Sequence, residues 1–402
     1  MMRIALAALL ASACTTVGPI PPGADWSPPT TPDWAHQARF AITDNRSDWL
    51  SVVTPQATPA LLANVPVGDV PVELEGPHHL AASPDGSWLV YNLSNYVPGT
   101  GSGPHGSHGT GAVPGSLVKL DAHTMAKLGE VLVDRSPGDV VLSKDGKLAY
   151  VTHYDLLRVQ QVVATESPPK IEDTYSALAI VNTDTMERLS LTPICATAHG
   201  EGLSHDGKTL YATCQTFDEI VVVDVSDPTA PVVKKHVSVG ATPNTSPSNN
   251  GNYGPYALTV APTPDERVWI SSQYSADVRV FDPATMAMDS SKIVQFPGPA
   301  LFGDFTLDGK TFFVPHQGDD QITAVDTATL ATTLIAVPSS ACMNAHMVKL
   351  TPDGKNAIMV CEGDHVMKPG TAVMMSIVPP VVTGFVPVGI FPDGAAWLPP
   401  AP

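Results

Sequence analysis

Short apolar runs separated by turn-forming residues repeat along most of the chain. The stretch that begins at residue 136 reads SPGDVVLSKDGKLAYVTHYD, and the one that begins at residue 197 reads TAHGEGLSHDGKTLYATCQTFD. Each contains a short apolar strand, an Asp-Gly turn and a strand rich in β-branched or aromatic residues, which is the pattern of a β-hairpin. Related stretches begin at residues 76, 254, 298 and 344. Several continue into a third strand that ends in Asp, such as EIVVVDVSDPT, and into a fourth that leads to VPVG or VSVG.

The spacing of these units predicts an all-β fold of the propeller type. The turn aspartates Asp265, Asp308 and Asp353 are 43 and 45 residues apart. Four antiparallel strands in a unit of about 40 residues describe one propeller blade. The earlier turns are 59 to 61 residues apart, which predicts insertions in those blades. No long segment has the periodicity of a helix.

Six complete repeats are visible, and a seventh is divided between the two ends of the chain. ARFAITDN, DWLSVVTPQ and ALLANVPVG match the second, third and fourth strands of a blade that lacks its first strand. The C-terminal VPVGIFPDGAAWLPP matches a first strand without followers. Joining the ends would remove an exposed sheet edge. We therefore predict a seven-bladed β-propeller over residues 38–402, with four antiparallel strands per blade and the last blade closed by N- and C-terminal strands.

The units DGKLAYVTHYD and DGKTLYATCQTFDEIVVVDVSDPT resemble the YVTN-type β-propeller repeat of secreted bacterial surface proteins. The resemblance covers nearly all of the chain from about residue 38 onward. It implies the propeller fold but says little about function, because such propellers serve as binding platforms, as lactonases and as cofactor-holding oxidoreductases.

The N-terminal segment predicts export. In residues 1–13, Arg3 precedes a short apolar run that ends in small residues, which is the layout of a bacterial signal peptide. LASAC resembles a lipobox in which Cys14 would be lipidated, although Leu10 stands four residues before the cysteine rather than the usual three. Plain secretory cleavage is the alternative. Residues 14–37 are proline-rich and predict an extended tether. These features predict an outer-membrane lipoprotein that faces the periplasm or the cell surface.

Composition narrows the range of partners. The net charge of −18 argues against binding of nucleic acid and against a basic face that docks on anionic lipid. We therefore expect contact with the membrane only through the N-terminal lipid anchor, and a partner that is an unidentified protein or a small-molecule ligand. The 40 prolines and 31 glycines favour short strands and turns over helices.

Two pairs of cysteines have the same spacing. Cys195 and Cys214 are 19 residues apart, and so are Cys342 and Cys361. In each pair one cysteine precedes the first strand of a blade and the other ends the second strand, so the two lie close enough to bridge. Two structural disulfides are therefore predicted, consistent with an oxidising compartment. The sequence has no C-x-x-C-H haem-attachment motif, only CATAH and CMNAH.

The histidines are concentrated on one predicted face of the disc. His78, His199 and His346 share one repeat position, eight residues before the turn glycine, and His79 adjoins the first of them. A second shared position, seven residues after the turn glycine, and the loops on the same face supply five more: His153, His316, His105, His108 and His365. By contrast, two others map to the opposite face: His123 and His205. Three insertions, near residues 94–115, 154–175 and 241–254, also open on the histidine-rich face, and such loops commonly form a working surface.

Equivalent positions of different blades converge at the central channel, so the histidines of the first position are candidate metal ligands. Imidazole suits copper, zinc or iron. The first choices are His78, His199 and His346, and the second choices are His79, His153 and His316. The alternative interpretation is a solvated polar rim that arose by duplication of an ancestral blade. It is favoured by three repeats that carry another residue at the first position: Gly138, Tyr256 and Leu301.

Three functions remain open at this point. The first is a platform that binds a ligand or partner through the histidine-rich face at the channel mouth. The second is a metal-dependent oxidoreductase with copper, or a related site with zinc. The third is a lactonase-type hydrolase, in which a divalent ion would be held by carboxylates that map near this face, namely Asp139, Glu201, Asp304 and Glu362.

Overall fold

The computed structural model describes residues 31–68, 74–94, 113–249 and 251–402. Within these ranges, 28 strands form seven four-stranded antiparallel sheets arranged in a ring. The predicted seven-bladed β-propeller is thereby confirmed. We number the blades 1 to 7 in chain order and describe each from its innermost strand outward.

The strand bounds follow the repeat. Blade 1 contains β28 (Pro392–Leu398), β1 (Arg39–Asp44), β2 (Trp49–Val53) and β3 (Leu61–Pro66); blade 2 contains β4 (Pro77–Ala82), β5 (Trp88–Leu93), β6 (Ser116–Asp121) and β7 (Lys127–Leu132). Blade 3 contains β8 (Pro137–Leu142), β9 (Leu148–His153), β10 (Ser176–Asn182) and β11 (Glu187–Cys195); blade 4 contains β12 (Ala198–Leu203), β13 (Thr209–Cys214), β14 (Glu219–Asp224) and β15 (Val232–Ser238). Blade 5 contains β16 (Pro255–Val260), β17 (Val268–Ser272), β18 (Asp277–Asp282) and β19 (Ala287–Gln295). Blade 6 contains β20 (Asp304–Phe305), β21 (Thr311–His316), β22 (Gln321–Asp326) and β23 (Thr332–Ile335); blade 7 contains β24 (Ala345–Leu350), β25 (Asn356–Cys361), β26 (Thr371–Ile377) and β27 (Pro380–Pro387).

Burial along the strands explains why the apolar runs are continuous in some strands and alternate in others. The second and third strands of a blade, such as β13 and β14, are buried over nearly their whole length. They have a neighbouring blade on each face, so both sets of side chains enter a core. The fourth strands β7 and β27 alternate between exposed and half-buried residues, because one face is solvated. The core consists of apolar layers between adjacent blades.

The two ends of the chain meet in blade 1, as predicted. Strand β28 pairs antiparallel with β1, with Phe40 opposite Trp397. The fully buried guanidinium of Arg39 reinforces this junction by donating hydrogen bonds to the carbonyls of Ala35 and Pro399. Ring closure therefore joins an N-terminal strand to a C-terminal one through both backbone pairing and a buried side chain.

Both predicted disulfides are present. Cys195 is bonded to Cys214 and Cys342 to Cys361, with Cα atoms 5.8 Å and 5.4 Å apart. Cys342–Cys361 ties the segment before β24 to the end of β25 in blade 7, whereas Cys195–Cys214 ties the end of β11 in blade 3 to the end of β13 in blade 4.

Some segments lie outside the repeat. The insertion after β9 contains the helix α1 (Leu156–Thr165), capped by Asp155, whose side chain accepts the backbone N–H of Arg158. A 3-10 turn, Asp33–His36, precedes β1, so the ordered part of the chain starts before the predicted boundary at residue 38. In the described ranges no helix has the length and apolar character needed to cross a membrane. The predicted signal peptide, Cys14 and residues 14–30 of the tether lie outside those ranges.

Candidate metal centre and central channel

The innermost segment of every blade lines the centre of the ring and has one residue at an equivalent position, which lies near the start of the first strand in six blades and just before β20 in blade 6. In ring order these residues are Asp393, His78, Gly138, His199, Tyr256, Leu301 and His346. In six blades the pairing between the first and second strands shifts register at this position. Such a β-bulge re-aims side chains that a regular strand would point to opposite faces. Two consecutive residues can therefore face the same interior space.

Four of the predicted histidines converge at this level. The rings of His78 and His79 are stacked with centroids 4.6 Å apart. The ring of His199 lies 5.4 Å from that of His78, and the ring of His346 lies 5.9 Å from that of His79. Phe302 packs against His79 with ring centroids 4.6 Å apart. The structure thus brings together imidazoles from blades 2, 4 and 7.

These imidazoles lie in the interior, and the expectation of a solvated rim at the channel mouth is wrong for them. None of the four residues is more than 3% exposed. A repeat position determines where a side chain lies around the ring, whereas the packing of neighbouring inner strands determines how far water reaches it. The cluster is therefore a buried polar centre, in which every polar atom needs a partner.

Contacts between adjacent blades hold the histidine-bearing strands in place. The hydroxyl of Thr43 donates to the carbonyl of His78, and the hydroxyl of Thr152 donates to the carbonyl of His199. In both cases a second strand reaches the inner strand of the next blade. Nδ1 of His78 donates to the carbonyl of Gly138 at 2.5 Å. Because a carbonyl oxygen only accepts, Nδ1 carries the proton of the neutral His78 ring and Nε2 carries the lone pair.

One member of this cluster, His346, also lies beside two buried carboxylates, Glu362 and Asp393. Potential ligand atoms of these three side chains, which we call the triad, lie within 4.8 Å of one another. Nε2 of His346 lies 3.6 Å from Oε1 of Glu362, and Nδ1 lies 3.7 Å from Oδ1 of Asp393. Nε2 of His78 lies 3.8 Å from Oδ2 of Asp393. Ligand atoms of a tetrahedral zinc ion are about 3.4 Å apart. One ion can bind only one nitrogen of the His346 ring. Because Nδ1 lies 3.1 Å from the backbone carbonyl oxygen of Asp393, Nε2 is the candidate ligand atom. Side-chain adjustments would then bring Nε2 and one oxygen of each carboxylate, which already lie within 4.8 Å of one another, onto a single ion.

Neighbouring side chains fix one oxygen of each triad carboxylate and not the other. Nε2 of His365 and Nε2 of Gln317 lie 2.7 Å and 3.0 Å from Oε2 of Glu362. Nδ2 of Asn45 donates to Oδ2 of Asp393 at 3.2 Å. The remaining oxygens, Oε1 of Glu362 and Oδ1 of Asp393, have no hydrogen-bond partner among the residues that the structure describes. Both side chains are fully buried, so these oxygens call for a proton or a cation.

Protonation equilibria at the triad reflect this burial. Burial raises the pKa of Glu362 well above its ordinary value, and burial together with the neighbouring Glu362 carboxylate does the same for Asp393. Burial lowers the pKa of His365 to about 4, so its ring is neutral at pH 7 and donates to Glu362 from Nε2. A bound divalent ion would take the place of protons on the two carboxyls.

His79 forms a second arrangement with chemical potential. Its Nδ1 lies 2.8 Å from Oδ1 of Asp139, and its Nε2 has no hydrogen-bond partner in the described part of the chain. Since the carboxylate accepts from Nδ1–H, the lone pair of the ring is on Nε2. A carboxylate that orients an imidazole in this way fixes its tautomer and ring orientation. The pair is therefore suited to accept a proton.

His153 and His316, also predicted as ligands, are not part of the cluster. They end the second strands β9 and β21, and hydrogen bonds occupy both of their ring nitrogens. Nδ1 of His153 donates to a backbone carbonyl at 2.7 Å, and Nε2 accepts a backbone N–H at 2.9 Å. Nδ1 of His316 lies 2.7 Å from Oδ1 of Asp319, and Nε2 lies 2.9 Å from the hydroxyl of Thr323. Both histidines therefore have structural roles.

On the other side of His79 the central channel continues toward the Asp-Gly turns as a cavity of about 640 Å³. The predicted carboxylates Asp139, Glu201 and Asp304 line it. Burial, followed by the nearby Asp139 carboxylate, raises the pKa of Glu201 well above its ordinary value, and the backbone amides of Thr152 and Val141 offset only part of that rise. The four predicted carboxylates are therefore divided, with Glu362 in the triad and the other three in the channel.

Asp393 is the candidate metal ligand that sequence reasoning missed. In the repeat it takes the place of His78, His199 and His346. It was overlooked because its Asp-Gly pair matches the turn motif, and because the C-terminal strand has no following strands to set its register. The proline before it supplies a signal, since Pro77 and Pro137 also precede this position. The predicted loop histidines His105 and His108 lie outside the described residues.

No protein-family model matches the sequence, and no curated protein matches it. Solved structures do resemble the chain. The periplasmic gluconolactonase of Pseudomonas aeruginosa has a TM-score of 0.64 and 15% identity, over 90% of this chain and 99% of that one. The hydrazine synthase of Kuenenia stuttgartiensis has a TM-score of 0.60 and 18% identity, over 83% and 92%. A protein from Lactobacillus plantarum has a TM-score of 0.65 and 14% identity, over 90% and 100%. At these identities the likeness shows a shared fold.

Proposed function

We propose that the protein is an exported, metal-dependent hydrolase that opens small cyclic esters of the lactone class. The observation that carries the proposal is the triad of His346, Glu362 and Asp393, in which two fully buried carboxylate oxygens have no hydrogen-bond partner among the described residues. A divalent transition-metal ion held there would supply Lewis-acid polarisation of a carbonyl group.

The ligand set favours zinc, manganese or iron in a Lewis-acid role. One imidazole and two carboxylates form a mixed nitrogen and oxygen site, whereas electron-transfer copper sites use sulfur and several imidazoles. Gln317, His365 and Asn45 hold the second oxygen of each carboxylate, and such orienting contacts are typical of metal ligands.

The His79–Asp139 pair would perform the proton transfer. Nε2 of His79 takes the proton of the attacking water, while Asp139 holds Nδ1–H and stabilises the imidazolium that forms. As the oxygen of the water bonds to the carbonyl carbon, the ring C–O bond breaks and its electron pair stays on the departing oxygen. Nε2 of His79 then returns the proton to that oxygen, which gives the hydroxy acid.

Export and anchoring belong to the same proposal. Two disulfides are suited to an oxidising compartment such as the periplasm. A gluconolactonase described as periplasmic is among the proteins of similar fold. We propose that the chain belongs with the YVTN-type propellers and is held at the outer membrane through lipidated Cys14.

The test is hydrolysis of a panel of small lactones, beginning with δ-gluconolactone. The acid that is released would be measured with a pH-stat, once with zinc-loaded protein and once with EDTA-treated protein. His79→Gln should lower kcat by about 100-fold, the lower end of the usual contribution of general acid–base catalysis. Asp139→Asn should lower it less, and His205→Gln, in a turn that does not line the channel, should leave it unchanged. A protein that turns over no lactone of the panel, or a His79→Gln variant with unchanged kcat, would contradict the proposal.

A second candidate function is copper-dependent oxidoreduction, favoured by the convergence of His78, His79 and His199 beside the triad. Protein purified from its native host with stoichiometric copper and a visible absorption band would support it over the hydrolase. If the purified protein binds no metal above background, both metal-dependent functions are excluded, and a platform that binds a ligand or partner is the remaining function.

A further inference from the structure

The cavity on the turn side of His79 is a separate feature from the triad. It runs along the inner strands from Glu201 to turn residues such as Ser83 and Lys144, and its volume is about 640 Å³. Its middle section is apolar, with Leu258 and Trp397 in the wall. A space of this size and shape can hold a small molecule with a hydrocarbon part.

Glu201 is the unsatisfied polar group of this cavity. Its residue is 3% exposed, and neither carboxylate oxygen accepts a hydrogen bond of regular geometry from the described residues, although the backbone amides of Thr152 and Val141 lie near enough to lower its pKa in part. The adjacent Asp139 is fully engaged, because Oδ1 is bonded to His79 and to the N–H of Val140 while Oδ2 accepts the N–H of Glu201. A buried acidic group that lacks well-aligned donors is costly, so the carboxyl of Glu201 is available to donors from a ligand.

Charge is distributed unevenly along the cavity. Among the described lining residues, the inner end contains two acidic side chains, Asp139 and Glu201, together with the imidazole of His79 but no lysine or arginine. The lysines of the lining lie toward the turns, where Lys349 is 3.7 Å from Asp304. The inner end therefore attracts a positive charge, and the apolar section beyond it suits an alkyl chain.

We propose that the inner end of the channel binds a primary alkylammonium group, with the N–H donors of the ligand on the carboxylate of Glu201 and its hydrocarbon chain against the apolar wall. An ammonium group offers three donors and a full charge, which matches a carboxylate whose two oxygens lack well-aligned donors. A metal ion would need further ligands at this place, and in the described ranges the triad is the cluster of three side chains that could hold one.

The test is isothermal titration calorimetry with three probes of equal chain length: hexylammonium, 1-hexanol and hexanoate. Hexylammonium should bind at least about tenfold more tightly than the other two, because a charge-assisted hydrogen bond contributes more than a neutral one. Equal affinities for hexylammonium and 1-hexanol would overturn the proposal. This comparison uses the unmodified protein and does not depend on the folding of a variant.

Variants then locate the site. Glu201→Gln should weaken binding of hexylammonium about tenfold and leave binding of 1-hexanol unchanged. The control Glu130→Gln, on an exposed outer strand, should change neither. Unchanged binding of hexylammonium in Glu201→Gln would contradict the assignment. So would loss of that binding in Glu362→Gln, since the amine would then be a ligand of the triad metal. Neither result depends on whether the protein hydrolyses lactones.

Discussion

His153 and His346 are equally buried, yet they differ in how their surroundings satisfy them. Each is 0% exposed. The ring of His153 has a backbone partner at both nitrogens, at 2.7 Å and 2.9 Å. The ring of His346 faces two buried carboxylates, each of which keeps one oxygen without a partner among the described residues. The first arrangement is complete as it stands, whereas the second needs a proton or a cation.

The difference shows that burial of a histidine is weak support for a metal site. A satisfied buried histidine contributes to stability like any other hydrogen-bonded core residue, and His316 is a second example. A buried histidine beside incompletely satisfied carboxylates carries a desolvation cost that a ligand would relieve. Mutation of a satisfied histidine should therefore lower the stability of the fold without changing metal binding, whereas mutation of a triad residue should reduce metal binding.

Removing the strand that supplies Asp393 should have the largest effect. Deletion of residues 390–402 removes β28, exposes the edge of β1 that faces the channel and eliminates one triad ligand. We expect loss of cooperative folding or aggregation, because an unpaired strand edge associates with other chains. Thermal unfolding and size-exclusion chromatography would measure this, with deletion of residues 401–402 as the control. A truncated protein that melts like the intact one would contradict the role of ring closure.

The two disulfides offer the next comparison, because one lies beside the triad and the other does not. Cys361 directly precedes Glu362, whereas Cys195–Cys214 joins blade 3 to blade 4. Replacing either pair with serine should lower the free energy of unfolding by about 3 kcal/mol, as expected for loops of this length. Loss of Cys342–Cys361 should also weaken zinc binding. Equal zinc affinity in both double variants, measured by competition with a chelator, would show that this bond does not support the site.

The satisfied histidines should affect stability without affecting metal. His153→Ala removes two buried hydrogen bonds and part of the core, so the free energy of unfolding should fall by about 2 kcal/mol. Its zinc content should equal that of the unmodified protein. Chemical denaturation and elemental analysis measure the two quantities. A His153→Ala variant that loses its zinc while remaining folded would invalidate the distinction drawn between the two groups.

Asp44 is an intermediate case with a smaller effect. It accepts hydrogen bonds from Ser51 and Gly389, yet burial still raises its pKa to about 7. Because the folded-state pKa is above the unfolded value, this stabilising contribution is full below the unfolded pKa and is lost as pH rises through about 7. Between pH 6 and 8 the loss should be roughly 1 kcal/mol. In EDTA-treated protein, Asp44→Asn should flatten the slope of unfolding free energy against pH, and an unchanged slope would refute the assignment.

The repeat made the fold predictable, and much of the site with it. The Asp-Gly hairpins indicated seven blades, and matching positions indicated both disulfides and the convergence of His78, His199 and His346. The burial of these histidines was not predictable, since it depends on β-bulges and on the packing of the inner strands, which the repeat does not encode. The satisfied state of His153 and His316 depends on which backbone and side-chain groups face each ring, and that is a property of the folded chain.

The most direct test of the account compares two buried glutamates whose pKa values are both raised by burial, one in the triad and one in the channel. Glu362→Gln, Glu201→Gln and the unmodified protein would be treated with EDTA, reconstituted with zinc, desalted and analysed by mass spectrometry of the elements, with circular dichroism to verify folding. We expect about one zinc ion per chain in the unmodified protein and in Glu201→Gln, and little in Glu362→Gln, because loss of one ligand weakens a three-ligand site severely. Equal zinc content in the two folded variants would contradict the assignment of the triad as a metal centre.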